Sequence, residues 1–371
     1  MNSVAATPRE HPTNPFHPHL APPETMADFL RTDLVHAVSR HAALRKPAAR
    51  ARPQTSITLC AMLGLALAPA LAHAAPTAAA ATAAADTAIE ITDDAGNHVR
   101  LERPAQRIVS LAPHVTELLF AAGAGAQVVG VVAYSDFPPA ATALPQVGGY
   151  SKVDLEAVAA LRPDLVVAWS SGNSNAHLDR LRALGIPVFL NEPRSLDDVA
   201  RSLEQLGRLA GTREPAAAAA QRFRTRHASL SARYRQRAPV STFYQIWDRP
   251  LMTINDEHLI ADVIRLCGGR NVFGKLGTLS PTIGVEAVLA ANPEAIVASG
   301  MGTARPDWLD EWKRWPDLAA NIHDNLFFIP PDIMQRHTPR ILDGASQLCE
   351  QLESVRAKRG DGPPASTTAK D

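Results

Sequence analysis

The residues of this chain whose type and spacing could do chemistry are a pair of glutamates, a few aromatics and one histidine. Glu156 and Glu286 lie 130 residues apart, each near the start of one copy of a twenty-residue pattern. The copies are VDLEAVAALRPDLVVAWSSG at 153–172 and IGVEAVLAANPEAIVASGMG at 283–302, identical at eight positions. The positive end of the helix dipole favours a carboxylate in the first turn, so either glutamate alone reads as an ordinary first-turn acid. Two at matching places read as a paired feature. Phe, Trp and Tyr make up only 5% of the chain, so their placement in loops is informative. Tyr134 and Tyr150 follow apolar segments, Trp169 ends the first repeat strand just before Ser170-Ser171-Gly172-Asn173, and Trp247 ends a later strand. Strand ends are where open α/β sheets bind ligands, and aromatic faces suit a large flat molecule; the competing reading is packing at a lobe edge. His114, in the first loop after a strand, is either a polar loop residue or a haem ligand. Trp308, Trp312 and Trp315 are spaced by four and three and read as one packed helix face.

Catalytic constellations are missing from the sequence. It has no H-E-x-x-H, no G-x-S-x-G and no P-loop, so neither catalytic nor metal-ligating residues are expected, and no cofactor. Gly123-Ala124-Gly125 looks like a dinucleotide turn, but it ends a helix instead of following a strand. Three cysteines are too few for a four-cysteine zinc site or a disulfide-dense scaffold. Lys plus Arg and Asp plus Glu both number 37, and this neutral balance argues against a nucleic-acid partner.

The elements that must position these residues follow from the same repeat. Each copy reads as a short helix, a proline break and a strand apolar on both faces, at 165–168 and 295–298, as in a buried parallel sheet. Two copies this far apart predict two similar α/β lobes and not a solenoid. Strands at 107–111, 128–132 and 187–190 and helices at 115–122, 177–184 and 196–209 complete the first lobe. Residues 214–237 hold many arginines, a run of five alanines and no glycine, with Pro215 just inside the start, and predict one long connecting helix. The second lobe opens with a strand at 241–246, continues with a helix at 259–267 closed by Gly268-Gly269, and ends with a strand at 327–329 and a helix at 340–357. A cleft between such lobes is a common place for a small molecule, and a helical connection should hinge little.

The start of the chain is not a domain. Arg45, Lys46, Arg50 and Arg52 form a basic cluster, an apolar run follows at 59–71, and Ala72-His73-Ala74 offers a small-residue cleavage site. That order predicts a secretory signal cleaved after Ala74, and the run is too short for a comfortable membrane span. Nearly all of the apolar run lies after Cys60, and bulky Leu59 precedes it, so this cysteine does not fit a lipoprotein anchor. With residues 1–74 set aside, 30 basic and 33 acidic residues remain, a net charge of about −3. Export places Cys267 and Cys349 in an oxidising compartment and removes Cys60, which predicts a disulfide between them; two buried free thiols are the alternative. The expected organisation is an extension and signal at 1–74, an Ala-rich linker at 75–87, a first lobe at 88–212, the connecting helix at 213–238, a second lobe at 239–357 and a disordered tail at 358–371.

RIVSLAPHVTELLFAAGAG (107–125), YSDFPP (134–139), the first repeat copy, LCGGRNVF (266–273) and HTPRILDGASQLC (337–349) resemble the periplasmic cobalamin-binding proteins of ABC importers, within a wider group that binds cobalamin, haem and ferric siderophores. The resemblance spans roughly residues 88–355. It implies a class III periplasmic binding protein: two similar three-layer lobes, one long backbone helix and a cleft that moves little. It further implies that Glu156 and Glu286 dock onto arginines of the two permease subunits in the inner membrane, one anchor per lobe. Tyr134, Tyr150 and Trp169 fall at its ligand-facing positions. In the second lobe the match is looser: Ser280 stands where close relatives carry Trp, Trp247 is the candidate substitute, and Asp332, Ile333 and Met334 match a ligand-facing loop. The expectation is a periplasmic protein that captures cobalamin between its lobes and delivers it to the importer. The alternative is a haem- or ferric-siderophore-binding protein, or an exported enzyme, on the same fold.

Overall fold

A computed structural model describes residues 88–300 and 302–359. The signal and linker segments read at 1–74 and 75–87, and the tail after Arg359, lie outside the described residues. The chain enters as an antiparallel ribbon, β1 (Ile89–Thr92) and β2 (His98–Leu101). The first lobe follows as β3 (Ile108–Ser110), α1 (Pro113–Ala121), β4 (Val128–Val131), α2 (Leu155–Ala160), β5 (Leu165–Trp169), α3 (Asn175–Ala183) and β6 (Val188–Asn191). Its strands run parallel in the order β4-β3-β5-β6.

Two helices follow, the first ending against the first lobe and the second leading into the second lobe. Helix α4 (Leu196–Ala210) starts in a capping box, with the Ser195 hydroxyl accepting from the Asp198 amide, and stops at Gly211, whose φ is +73°. Helix α5 (Arg213–Tyr234) is the long alanine- and arginine-rich run, 22 residues and about 33 Å at 1.5 Å per residue. The pair packs closely: a Cβ on Gly207 of α4 would lie 2.2 Å from the Ala216 Cβ of α5, so only glycine fits.

The second lobe comprises β7 (Val240–Gln245), β8 (Trp247–Asp248), β9 (Leu251–Met252), α6 (Leu259–Leu266), β10 (Gly269–Asn271), α7 (Val285–Ala291), β11 (Ala295–Ala298), a 3₁₀ run Asp307–Arg314, α8 (Ala319–Ile322), β12 (Leu326–Phe328), α9 (Pro331–Met334) and α10 (Ile341–Lys358). Its main sheet is parallel in the order β10-β7-β11-β12, which matches the first lobe strand for strand.

The repeat carries into the backbone. Arg162 and Asn292, equivalent positions just before the repeat prolines, both adopt left-handed φ, 46° and 41°. The acids after those prolines do equivalent work. Asp164 accepts from the Gln106 and Arg107 amides, and Glu294 accepts from the Ser241 amide, so each ties its repeat strand to the first strand of its sheet.

Several expectations shift in detail. Gly268 ends α6 in the left-handed region (φ 69°), but Gly269 already belongs to β10. The closing helix runs through Lys358, whose Nζ donates to the His323 carbonyl at 2.7 Å, so this residue belongs to the second lobe and not to the tail. The Trp308–Trp315 stretch is 3₁₀ and not α-helical. Packing is nonetheless its role: Trp312 is buried, edge-on to Phe243 with ring centroids 5.7 Å apart.

One apolar core runs from the β1–β2 ribbon through α1, α4, α5 and α6 into α10, and a separate cluster covers the outer face of each main sheet. Lobes that share a core across their connection cannot swing freely, because any opening exposes packed side chains to water. Cys267, at the end of α6, and Cys349, in α10, are joined as a disulfide with Cα atoms 4.6 Å apart. Among the described residues no helix is long and apolar enough to cross a membrane.

Candidate functional site

The lobes meet where the segments after β3 and β4 face those after β12. At the centre Glu117, in α1 and only 2% exposed, accepts from Arg340 Nε and Nη2 at 2.7 Å each and from the Thr338 hydroxyl at 2.6 Å. This charge-assisted fork ties helix α1 of the first lobe to the segment before α10 of the second. The Arg340 guanidinium also lies 3.9 Å over the Phe137 ring. Nearer the surface, Arg336 reaches Asp136 at 2.5 Å on the first lobe and Asp332 at 3.0 Å on its own. The Arg336 hydrogen bond holds the Asp136 carboxyl below its ordinary range.

On the first-lobe side of this seam the structure brings three of the sequence-predicted aromatics together. Trp169, the last residue of β5, is half-buried, with its ring centroid 6.0 Å from Tyr150. Tyr134 is 66% exposed and sits at φ 65°, a left-handed backbone that a bulky residue rarely adopts. Strain of this kind, with a large ring held out in solvent, is characteristic of binding surfaces. The turn is held from below: Thr116 Oγ1 links to the hydroxyls of Ser110 at 2.8 Å and Ser135 at 3.0 Å, all buried. Burial, and secondarily Tyr134, pushes the Tyr150 hydroxyl above its usual range, so it stays a neutral donor.

Trp247 and Asp332 are placed differently from the sequence reading. β7 ends at Gln245, and Trp247 instead opens the β8–β9 hairpin, paired with Met252. Its indole donates to the Arg249 carbonyl at 3.1 Å, and no ring contact joins it to Tyr134, Tyr150 or Trp169 among the described residues. Asp332 lies in the one-turn helix α9 instead of a loop, reaching the Tyr134 segment only through Arg336. Met334 is fully buried. Glu156 and Glu286 are the second residues of α2 and α7, both exposed and without an ion-pair partner among the described residues.

Three histidines line the seam. His114, second in α1, stacks edge-on to Trp169 with centroids 5.4 Å apart and lies 5.9 Å from His337, which is 5.5 Å from His258. Burial is the main cause depressing all three, His258 to about 3 and His337 to about 4, with His114 held well below the imidazole range. They are therefore neutral at neutral pH. His258 Nδ1 caps α6 by accepting the Ile260 amide at 3.1 Å, which puts its proton on Nε2. His114 Nε2 is buried without a hydrogen-bond partner. Among the described residues no group of three or more His, Cys, Asp or Glu side chains is arranged to hold a metal ion. Two grooves of about 620 and 540 Å³ lie along the β1–β2 ribbon and α4, the second lined in part by Asp94 and Glu192.

The sequence reading missed the groups that hold this surface in place: Glu117 with Arg340, Arg336, and Glu192 behind Trp169. Their partners are up to 223 residues away, and no local spacing reveals such pairs. What the arrangement can do is bind: a water-facing aromatic edge with hydrogen-bonded polar groups around it.

The family described as "Periplasmic binding protein" matches residues 108–333. A vitamin B12-binding protein of Vibrio campbellii is 35% identical over 256 residues, covering 69% of this chain and 92% of the relative. The crystal structure of a periplasmic vitamin B12 binding protein of Vibrio cholerae is 33% identical with a TM-score of 0.63, covering 69% of this chain and 99% of that one. A periplasmic heme-binding protein from Roseiflexus, 22% identical with a TM-score of 0.60 over 68% of this chain and 99% of its own, shares the fold.

Proposed function

Because the chain belongs to the periplasmic binding protein family, we propose that it captures cobalamin in the cleft between its lobes and delivers it to an ABC importer of the inner membrane. It is a periplasmic substrate-binding transport protein, not an enzyme, and what it carries is transported ligand and not a cofactor. The observation that supports cobalamin most strongly is the convergence of Tyr134, Tyr150 and Trp169 at the seam in a chain poor in aromatics. A corrin offers a large, mostly flat face with amide side chains, which stacked rings and fixed polar groups complement. In this reading Trp247 and Asp332 contribute from the second lobe, while Glu156 and Glu286, exposed at matching helix starts, dock to the permease pair. The chain reaches the periplasm through a signal cleaved after Ala74, and N-terminal sequencing of the exported protein tests this.

Haem is the second reading, favoured by the unpartnered His114 Nε2. His114 is only 6% exposed, with Trp169 and His337 against it, so axial ligation requires those rings to part. Absorption after incubation and desalting separates the two readings. Retention of the corrin bands and saturable quenching of tryptophan fluorescence by cyanocobalamin is the expected result. A Soret band with haemin that His114→Ala abolishes, with no response to cyanocobalamin, overturns it.

A further inference from the structure

Trp169 differs from the other aromatics of the seam in how completely its orientation is fixed. Its Nε1 donates to Glu192 Oε1 at 3.3 Å, and its backbone amide donates to Asn173 Oδ1 at 2.7 Å. The other Glu192 oxygen accepts the Ser171 amide at 2.7 Å, so one carboxylate grips both the indole and the loop after it. Gly172 lies directly against the ring: a Cβ there would fall 1.8 Å from Trp169 Cε3. The edge-on contact with His114 bounds the indole on another side.

Glu192 follows β6 directly and is only 8% exposed. A buried carboxylate is costly unless its oxygens are satisfied, and here one oxygen accepts from Trp169 and the other from Ser171. Glu192 is itself held. Its backbone amide donates to Asp94 Oδ2 at 2.6 Å, and Asn191 Nδ2 donates to the same oxygen at 3.1 Å. Asp94 stands in the β1–β2 turn, and its own amide donates to the Leu190 carbonyl at 3.0 Å. The N-terminal ribbon thus ends on the strand that presents Glu192, and Glu192 ends on the indole.

We propose that Glu192 is a positioning residue for ligand binding, setting the indole of Trp169, and that Asp94 sets Glu192 in turn. The chemistry explains the residue type. Two oxygens on one carboxylate can accept from an indole N–H and a backbone N–H at once, whereas a glutamine replaces one of those oxygens with an NH2 that faces a donor. The inference rests on the cobalamin-capture reading for its effect on affinity, but its geometric content, an oriented indole, can be read without ligand.

The test uses the full mature chain in two arms. Without ligand, the Nε1–H resonance of Trp169, identified by its loss in Trp169→Phe, should move clearly in Glu192→Gln and more in Glu192→Ala, and also in Asp94→Asn, while the other indole resonances stay in place. With cyanocobalamin as the probe, Glu192→Ala should weaken binding about ten-fold and Glu192→Gln less, the scale of one lost charge-assisted hydrogen bond. In a Trp169→Ala background Glu192→Ala should add less than two-fold. An unmoved Trp169 resonance, or an undiminished ten-fold loss in the Trp169→Ala background, overturns the positioning role. If Trp169→Ala itself leaves cyanocobalamin binding unchanged while the resonance moves as expected, the capture reading fails and the positioning of the indole stands.

Discussion

Arg162 and Asn292 share one left-handed backbone and Asp164 and Glu294 grip equivalent amides, yet five residues further on Trp169 and Ser299 do opposite things. Trp169 leaves its strand into the seam, half-buried. Ser299 is fully buried, its hydroxyl donating to the Ile329 carbonyl at 2.8 Å. The tryptophan that packs in the second lobe is Trp312, whose Nε1 donates to Gln245 at 2.7 Å. The repeat's glycines divide the same way: Gly172 is forced by the Trp169 ring, whereas nothing lies within 4 Å of a Cβ on Gly302. The lobes are alike where a strand must be tied to its sheet and unlike where they face the cleft. Framework positions answer to backbone hydrogen bonds that any parallel sheet of this order needs; in the proposed reading the surface positions answer instead to the ligand.

Covalent linkage separates the lobes further, since the second contains the Cys267–Cys349 pair and the described first lobe contains no cysteine. The bond closes a chain separation of 82 residues, for which loop entropy gives about 4.5 kcal/mol, less any native strain. Unreduced mature protein, denatured, should titrate no free thiol. Reduction should lower the urea midpoint and loosen α6 and α10 in amide exchange before the first sheet. Two titratable thiols without reductant would remove this asymmetry.

Glu117 is the point where the comparison of lobes becomes a comparison of one joined body with two separate ones. Glu117→Ala strands the Arg340 guanidinium in a largely buried site, and such breaks cost about 3–5 kcal/mol. Urea unfolding should show that loss, with earlier melting of the seam. A loss below about 1 kcal/mol would mean that the continuous core joins the lobes without help from the ion pair.

How much of this was legible in the sequence depends on the range of the forces involved. Strands β5 and β11 declare themselves as short apolar β-branched runs after a proline, and α5 as an alanine-rich stretch without glycine. Both signals are local. The Trp169 position was legible because it ends such a strand, and Trp247 was misplaced because the β8–β9 hairpin has strands of only two residues, too short to show a period. Glu192 was invisible for a different reason. It reads as a loop acid, and only the alignment of β5 beside β6 brings it to an indole 23 residues earlier in the chain.

Trp169 and Trp312 sharpen the contrast at smaller scale. Trp169→Ala should weaken cobalamin binding by about 1–3 kcal/mol and cost less stability than loss of Trp312, because part of the ring already faces water and the main loss to the fold is the indole donor of Glu192. Trp312→Ala should do the reverse, costing about 3–5 kcal/mol of stability through the cavity left beside Phe243 and the orphaned Gln245, with affinity unchanged in protein that remains folded. Paired calorimetry and fluorescence titration on the two variants measures both quantities. Equal effects on affinity from both substitutions would erase the assignment of one ring to ligand and the other to core.

The smallest expected effect on binding comes from the positions where the lobes match most closely at the surface. Glu156 and Glu286 occupy the same turn of equivalent helices, exposed, with no ion pair among the described residues to give up. An acid favoured by the helix dipole contributes well under 1 kcal/mol at such exposure, so Glu156→Arg with Glu286→Arg should leave both the fold and the cobalamin titration within about two-fold of the parent. Transport should respond differently. If each lobe offers one carboxylate to one arginine of a two-fold permease, reversal places like charges at both contacts, and vitamin uptake in cells should fall at least ten-fold. Each single reversal should produce an intermediate loss, and the two singles should resemble each other, because the repeat puts both residues at the second position of equivalent helices. Loss of cobalamin binding in the folded double variant, or full uptake by it, would take the glutamates out of the docking role and leave them as first-turn acids.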